Sequence, residues 1–292
     1  MNAMIFIRPT EDDLAQWPEG WRFSDMRPVF DAIESRRDTP TERGSAGPVR
    51  NGPTLQPNSI CQAFIDAAVQ AGFPRTDDFS GAQRAGAGWY DLSIDDAGER
   101  ADSAAAYLRP IEDRENLTVR TDAQVTKIAF DGTRAVSLIV HTTDGSCEEI
   151  VVEGELLLCA GAIDSPALLL RSGVGDREQL RDAGVAVTHH LPGVGDNLHD
   201  HPAVPLVWSC ERALDPPRSQ FFESALVVRK TGSPTTLASY GHLAYLPPEI
   251  PEPAHGATAL IGLLEPHSRG HITSAPRRSG RLTPPRPRLP VR

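Results

Sequence analysis

The chain has 292 residues and a formal net charge of −10. It is long enough to bury a large core in one or two domains, and acidic enough to argue against nucleic acid as its main partner. Its four cysteines, Cys61, Cys147, Cys159 and Cys210, form no CxxC pair, which excludes a zinc ribbon or a disulfide framework and fits a reducing compartment. No stretch approaches the ~20 consecutive apolar residues of a membrane span, and residues 1–9 lack the basic start and long apolar run of a secretion signal. A cytoplasmic protein with no membrane span is expected.

In chain order, Ser24 reads as the N-cap of a helix through Met26, Val29, Phe30 and Ile33. Residues 36–58 are polar and rich in Pro and Gly, which reads as a loop. Ser59 and Gln62 form a capping-box pattern ahead of a helix that runs to Ala71 and is closed by Gly72 and Pro74. A glycine-rich stretch at 81–88 precedes a predicted helix over 100–108. From Leu117 the pattern changes to period two with β-branched residues, predicting strands at 117–120, 125–130, 135–141 and 149–152. Asp144-Gly145 is the hairpin turn between the last two. A short helix is expected over 176–183, capped by Asp176 and ended by Gly184, followed by strands at 204–208, 225–228, 243–246 and 257–264. Helices mixed with meandering strands argue for an α/β or mixed α+β fold.

Between these elements lies the most informative segment. Residues 155–159 form a short apolar run that suits a buried strand. Ala160, Gly161 and Ala162 then provide a small-residue turn where backbone can approach a ligand. Ser165 suits an N-cap and Pro166 the first helical position. Leu168, Leu169 and Leu170 supply a buried face, and Gly173 stops the helix. A strand, a small-residue turn and a capped helix together make an anion-friendly helix N-terminus.

The stretch from Gly161 through Ser165, Pro166 and Leu168 to Gly175 resembles the second signature of the glucose-methanol-choline (GMC) family of flavin-dependent alcohol oxidoreductases. Asn2, Phe6, Pro9 and Ala15 fit the closing half of that family's first signature. Gly98, Arg100 and Ser103, with Tyr107 and Pro110, are similar to the stretch leading into the strand at Leu117. Leu191, Gly195, Asn197, Asp200, His201 and Pro202 resemble the segment after the second signature, and Pro266, Ser268 and Gly270 the opening of the C-terminal substrate region. The order and spacing agree from Asn2 to about Gly270. The resemblance implies part of a doubly wound FAD/NAD(P)-binding domain over residues 1–200 and the start of an antiparallel-sheet substrate domain over 201–273. It implies FAD as cofactor and a small-molecule alcohol as substrate, oxidised by hydride transfer to the flavin.

The family's GxGxxG unit lies upstream of the matched region, and the basic Pro/Arg-rich stretch 274–292 departs from the family register. Six arginines and no acid fall between 275 and 292. That composition is what G+C-rich coding DNA yields out of frame, so the tail reads as frameshifted or disordered and the chain as a truncated copy. The other reading is a non-catalytic remnant or interaction module of the same fold. The family's catalytic histidine belongs beyond this point, and no catalytic residue is assigned. The resemblance places Asn2 and Ala3 beside the flavin ring, the Val125 backbone at adenine, and Ala160 and Gly161 along the cofactor. Asp164 stands where the family often has Asn. His199, Asp200 and His201 offer metal-ligand chemistry but lack a third or fourth partner, so no metal site is assigned. No serine sits in a GxSxG elbow.

Overall fold

The computed structural model describes residues 4–37, 43–81, 84–217, 219–229, 235–242 and 255–273. In chain order the elements are β1 (Ile5–Phe6), α1 (Glu11–Leu14), α2 (Phe23–Ile33), β2 (Glu34–Arg36), β3 (Val49–Pro53), α3 (Ser59–Gln70), β4 (Gly86–Trp89) and β5 (Asp91–Leu92). After two short turns of helix at Ala104–Leu108 and Arg109–Ile111 come β6 (Ala123–Asp131), β7 (Arg134–Thr142), β8 (Cys147–Val151), α4 (Gly161–Arg171), β9 (Val174–Gly175), α5 (Arg177–Asp182) and β10 (His189–His190). The described elements end with β11 (Ala203–Ser209), β12 (Phe222–Val228), β13 (Thr236–His242) and β14 (Gly256–Leu263). The result is the mixed α/β class that the residue pattern implies. The chain forms two compact units, each drawn from two segments of sequence, one from Met1–Leu117 with His201–Pro266 and the other from Thr118–Asp200 with His267–Arg292.

The first unit is built on a five-stranded antiparallel sheet in the order β11, β14, β13, β12, β4. Period-two alternation along β12 sends Ala225 and Val227 to a cluster with Phe79, Tyr90, Leu92 and Ile94, while Leu226 packs with Ile65, Ala68 and Ala87 of the opposite cluster. Helix α3 lies over that second cluster. Its Cys61, Ile65 and Ala68 recur at helical spacing and are buried, and Phe64 stacks on Tyr240 with ring centroids 4.4 Å apart. Burying Ile65 fully contributes about 1.5–3 kcal/mol. The helix starts one residue earlier than the capping box implies, at Ser59, and with a different cap. Asn58 accepts a hydrogen bond from the Ile60 amide at 3.1 Å, and Gln62 reaches Asp66 one turn on instead of turning back to the terminus.

A second, four-stranded sheet of this unit runs β1, β5, β3, β2, antiparallel except for the parallel pair β2/β3. Strand β3 and the last residue of β2 therefore fall within what reads in sequence as a loop over 36–58. Neither strand carries an apolar alternation. They form because Gly52 and Pro53 pair with Leu92 and Asp91, and because buried charges hold them together. In α2, Ser24 falls inside the helix, and the Asp25 carboxylate instead accepts from the Arg22 amide at 3.1 Å. The helix expected over 100–108 shrinks to its last five residues, started by Asp102, whose carboxylate accepts from the Ala105 amide at 2.8 Å.

The second unit contains the meander β6, β7, β8, with Gly145 at φ +87° in the expected turn. The strand expected at 117–120 does not form, and Val119 is exposed; no described strand pairs with it. Helix α4 packs against β6, and its Ala167 and Leu170 join Leu180 and Ile272 in an aliphatic core. Asp176 caps α5 by accepting from the Glu178 and Gln179 amides at 3.0 Å each, and Gly184 closes it at φ +71°. The strand expected at 243–246 and the tail 274–292 lie outside the described residues.

Candidate functional site

The segment 155–175 departs from expectation at its start and agrees at its end. Residues 155–159 form no strand. Their exposure still alternates as in an extended chain, with Leu156 and Leu158 half-buried and Leu157 79% exposed, but no described strand offers them a ladder. Helix α4 then begins at Gly161 rather than after Ser165. Ser165 and Pro166 lie inside it, and Ala160 is the N-cap position without a side-chain cap. Gly161 has φ +84°, a left-handed conformation that costs an L-residue roughly 1–2 kcal/mol and glycine nothing. A Cβ there would meet no atom within 4 Å, so the requirement is backbone conformation and not packing.

At the other end Gly173, also at φ +84°, turns the chain out of the helix, and a Cβ would run into the Ala186 carbonyl oxygen and the Thr188 hydroxyl. Ser172 fixes the helix to the meander: its hydroxyl accepts from the Ile128 amide at 2.9 Å and donates to the Leu168 carbonyl at 2.6 Å. Val125 lies on β6, opposite Val140 and beside a bulge, and is half-buried. The second unit thus carries Val125 together with Ala160 and Gly161, on a strand and on the start of the helix packed against it. Asn2 and Ala3 lie outside the described residues.

An uncapped helix start, open backbone at a positive-φ glycine and exposed small residues suit a phosphate-bearing or otherwise electron-rich ligand. The other polar features of the chain do not compete for that role. In the first unit, Arg43 pairs with Glu34, with Asp78 at 2.7 Å and with Asp91 at 2.8 Å, Arg36 with Asp91 at 2.7 Å, and Arg8 with Glu34 and with Asp31 at 2.7 Å. Burial alone would lower the Arg43 guanidinium, but the hydrogen bond to Glu34 and the charges of Asp91 and Asp78 hold it above its ordinary value. These charges satisfy one another. A cavity of about 120 Å³ in the same unit, lined by Phe79, Val227 and Leu237 together with Arg84 and Glu265, is smaller than the ~300 Å³ at which ligand pockets begin.

The histidines resolve individually. His189 and His190 form an exposed strand, and His190 Nδ1 accepts from the Arg177 amide at 3.2 Å. His199 is exposed and contacts the Asn197 carbonyl at 2.7 Å through Nδ1. Among the described residues no group of three or more His, Cys, Asp or Glu side chains could hold a metal ion, and no helix is long and apolar enough to cross a membrane.

A family profile described as GMC oxidoreductase matches residues 1–203. The chain belongs to the GMC oxidoreductase family. It is 39% identical over 218 residues to the oxygen-dependent choline dehydrogenase of Pectobacterium atrosepticum, an overlap of 72% of this chain and 39% of that protein. The crystal structure of pyridoxine 4-oxidase from Mesorbium loti superposes with a TM-score of 0.85 at 30% identity, covering 98% of this chain and 59% of that one. An FAD-dependent oxidoreductase from Chaetomium thermophilum shares the fold at 20% identity, with a TM-score of 0.77 over 93% of this chain and 61% of its own. This GMC chain spans about 39% of the length of the curated relative above.

Proposed function

We propose that the chain is the flavin-side part of an FAD-dependent oxidoreductase acting on CH–OH donors, taking a small-molecule alcohol of the choline type to its aldehyde or ketone. The observation that carries the reading is the 39% identity to oxygen-dependent choline dehydrogenase sustained across 72% of the chain. In this reading residues 1–200 are part of an FAD-binding domain and 201–273 begin a substrate-binding domain. Asn2 and Ala3 approach the flavin ring, the Val125 backbone meets adenine, and Ala160 and Gly161 run along the cofactor. Bound FAD would supply the hydride acceptor. The chain's own contribution is to bind and orient it, with the free amides at the start of α4 favouring negative charge. The free cysteines fit a cytoplasmic setting.

The test is flavin retention, read without turnover. Purified chain mixed with FAD and passed through gel filtration is expected to carry the flavin absorbance band. Gly161→Ala is expected to weaken that retention and to lower unfolding free energy by about 1–2 kcal/mol, the cost of a left-handed alanine. A folded chain that stays colourless after FAD addition would overturn the cofactor reading.

A further inference from the structure

Strands β7 and β8 are joined by a tight, internally bonded turn. The Gly145 amide donates to the Thr142 carbonyl at 3.1 Å, the Thr142 amide to the Ser146 carbonyl at 3.1 Å, and the Ser146 amide to the Asp144 carboxylate at 2.9 Å. The turn fixes the register so that His141 and Cys147 are direct cross-strand partners. Side chains at such positions share one face of the sheet and lie side by side. The Cys147 sulfur is 3.6 Å from His141 Nε2. Cys147 is exposed and His141 only half-buried. A nucleophile and a base within reach of each other, on a rigid hairpin and open to solvent, are the components of an activated thiol.

The surroundings select the reagent. Asp144 and Glu148 lie on the same hairpin. A hydrogen bond from the Thr142 hydroxyl holds Asp144 below the usual carboxylate range, and the Arg120 guanidinium does the same for Glu148, so both remain anionic. Glu149 adds a third acid, hydrogen-bonded by the Ser137 hydroxyl, against Arg120, which pairs with Glu148, and Lys127 on β6, in the cross-strand row of Ile139 and Glu149. Along β8 Glu148 projects from the face opposite Cys147 and Glu149, and within the ~10 Å reach of charge at ordinary salt the hairpin's remaining excess of acid favours cationic over anionic reagents.

We propose that Cys147 and His141 form a surface site for thiol–disulfide exchange with small cationic disulfides. The Cys147 proton passes to His141 Nε2, and the thiolate attacks one sulfur of the reagent. The reagent S–S bond breaks as the Cys147–S–SR bond forms, and the departing thiolate takes up one proton. One disulfide is consumed, and one mixed disulfide and one free thiol result, with no other oxidant needed.

Cys159, exposed like Cys147 but with no hydrogen bond to an imidazole among the described residues, is an internal control. The chain is treated in parallel with cystamine, which is cationic, and with glutathione disulfide, which is anionic, and adducts are counted peptide by peptide by mass spectrometry. Cys147 is expected to react with cystamine on the order of tenfold faster than Cys159. His141→Gln keeps a hydrogen-bonding group but cannot take up a proton. It is expected to bring Cys147 down toward the Cys159 rate while leaving Cys159 unchanged. The advantage of cystamine over glutathione disulfide at Cys147 is expected to shrink at about 1 M salt. Equal rates at the two cysteines in the unaltered chain would overturn the proposal without any variant, as would an undiminished Cys147 rate in His141→Gln. Glutathione disulfide reacting as fast as cystamine at low salt would overturn the charge selection.

Discussion

The two units stabilise their interiors with different interactions. In the first, buried charge is central: Arg8, Arg36 and Arg43 face Asp31, Glu34, Asp78 and Asp91, and Glu223 is buried with neutral donors from Thr54, Asn58 and Ser219. In the second, the buried polar side chains among the described residues are the hydroxyls of Ser137 and Ser172, and the core is Ala167, Leu170, Leu180 and Ile272. Aliphatic packing tolerates loss in proportion to the volume removed. A buried ionic cluster does not, because deleting one member leaves its partners charged and dry.

The largest effect should therefore come from Arg43. Arg27 also pairs with Asp31 at 3.9 Å, so four guanidiniums face four carboxylates in the described cluster, and Arg43→Met leaves an uncompensated buried negative charge. Arg43→Met is expected to cost about 3–5 kcal/mol in urea unfolding. Arg43→Lys, which keeps the charge but loses the planar fork, should recover only part of it. Next comes Leu170→Ala, fully buried in the aliphatic core, with about 3 kcal/mol expected and no dependence on pH. If Leu170→Ala proves costlier than Arg43→Met, the contrast between the units fails.

The same contrast explains what could be read in the sequence. Helices α3, α4 and α5 and the turn at Asp144-Gly145 announce themselves through local signals: apolar residues at helical spacing, Asp176 as a cap, glycines at positive φ. The small sheet of the first unit does not. Strands β2 and β3 depend on ion pairs that join residues 34, 36 and 43 to residues 78 and 91, and no periodicity encodes such pairings. The candidate cofactor segment was legible as chemistry but shifted in position. Its apolar run 155–159 has strand composition without a strand partner, and α4 starts at a glycine because Gly161 supplies the left-handed backbone that Ser165 was not needed to cap. The pairing of His141 with Cys147 was implicit in sequence: both lie three residues from the turn residue Asp144, on opposite sides, and only the register makes them neighbours.

A smaller effect sharpens the comparison through pH. Cys61, fully buried on α3, donates its thiol toward the Tyr240 carbonyl at 3.5 Å, and burial pushes its pKa up from 9.0 to about 11. The folded state thus prefers the neutral thiol, while the unfolded chain ionises it more readily. Stability from this group is complete below about pH 9 and is lost as pH rises through about 11. The full loss amounts to about 3 kcal/mol. Tyr90, buried and hydrogen-bonded to Ser239 at 2.6 Å, is also raised by burial, so alkaline destabilisation alone would not identify Cys61. Comparing urea midpoints of the unaltered chain and Cys61→Ala at steps from pH 8 to about 11 separates them. Cys61→Ala starts less stable because a buried side chain is shortened, and the gap between the two proteins should close as pH rises. A gap that stays constant would mean that ionisation of this thiol does not limit the first unit, and that its alkaline sensitivity resides in other groups such as Tyr90.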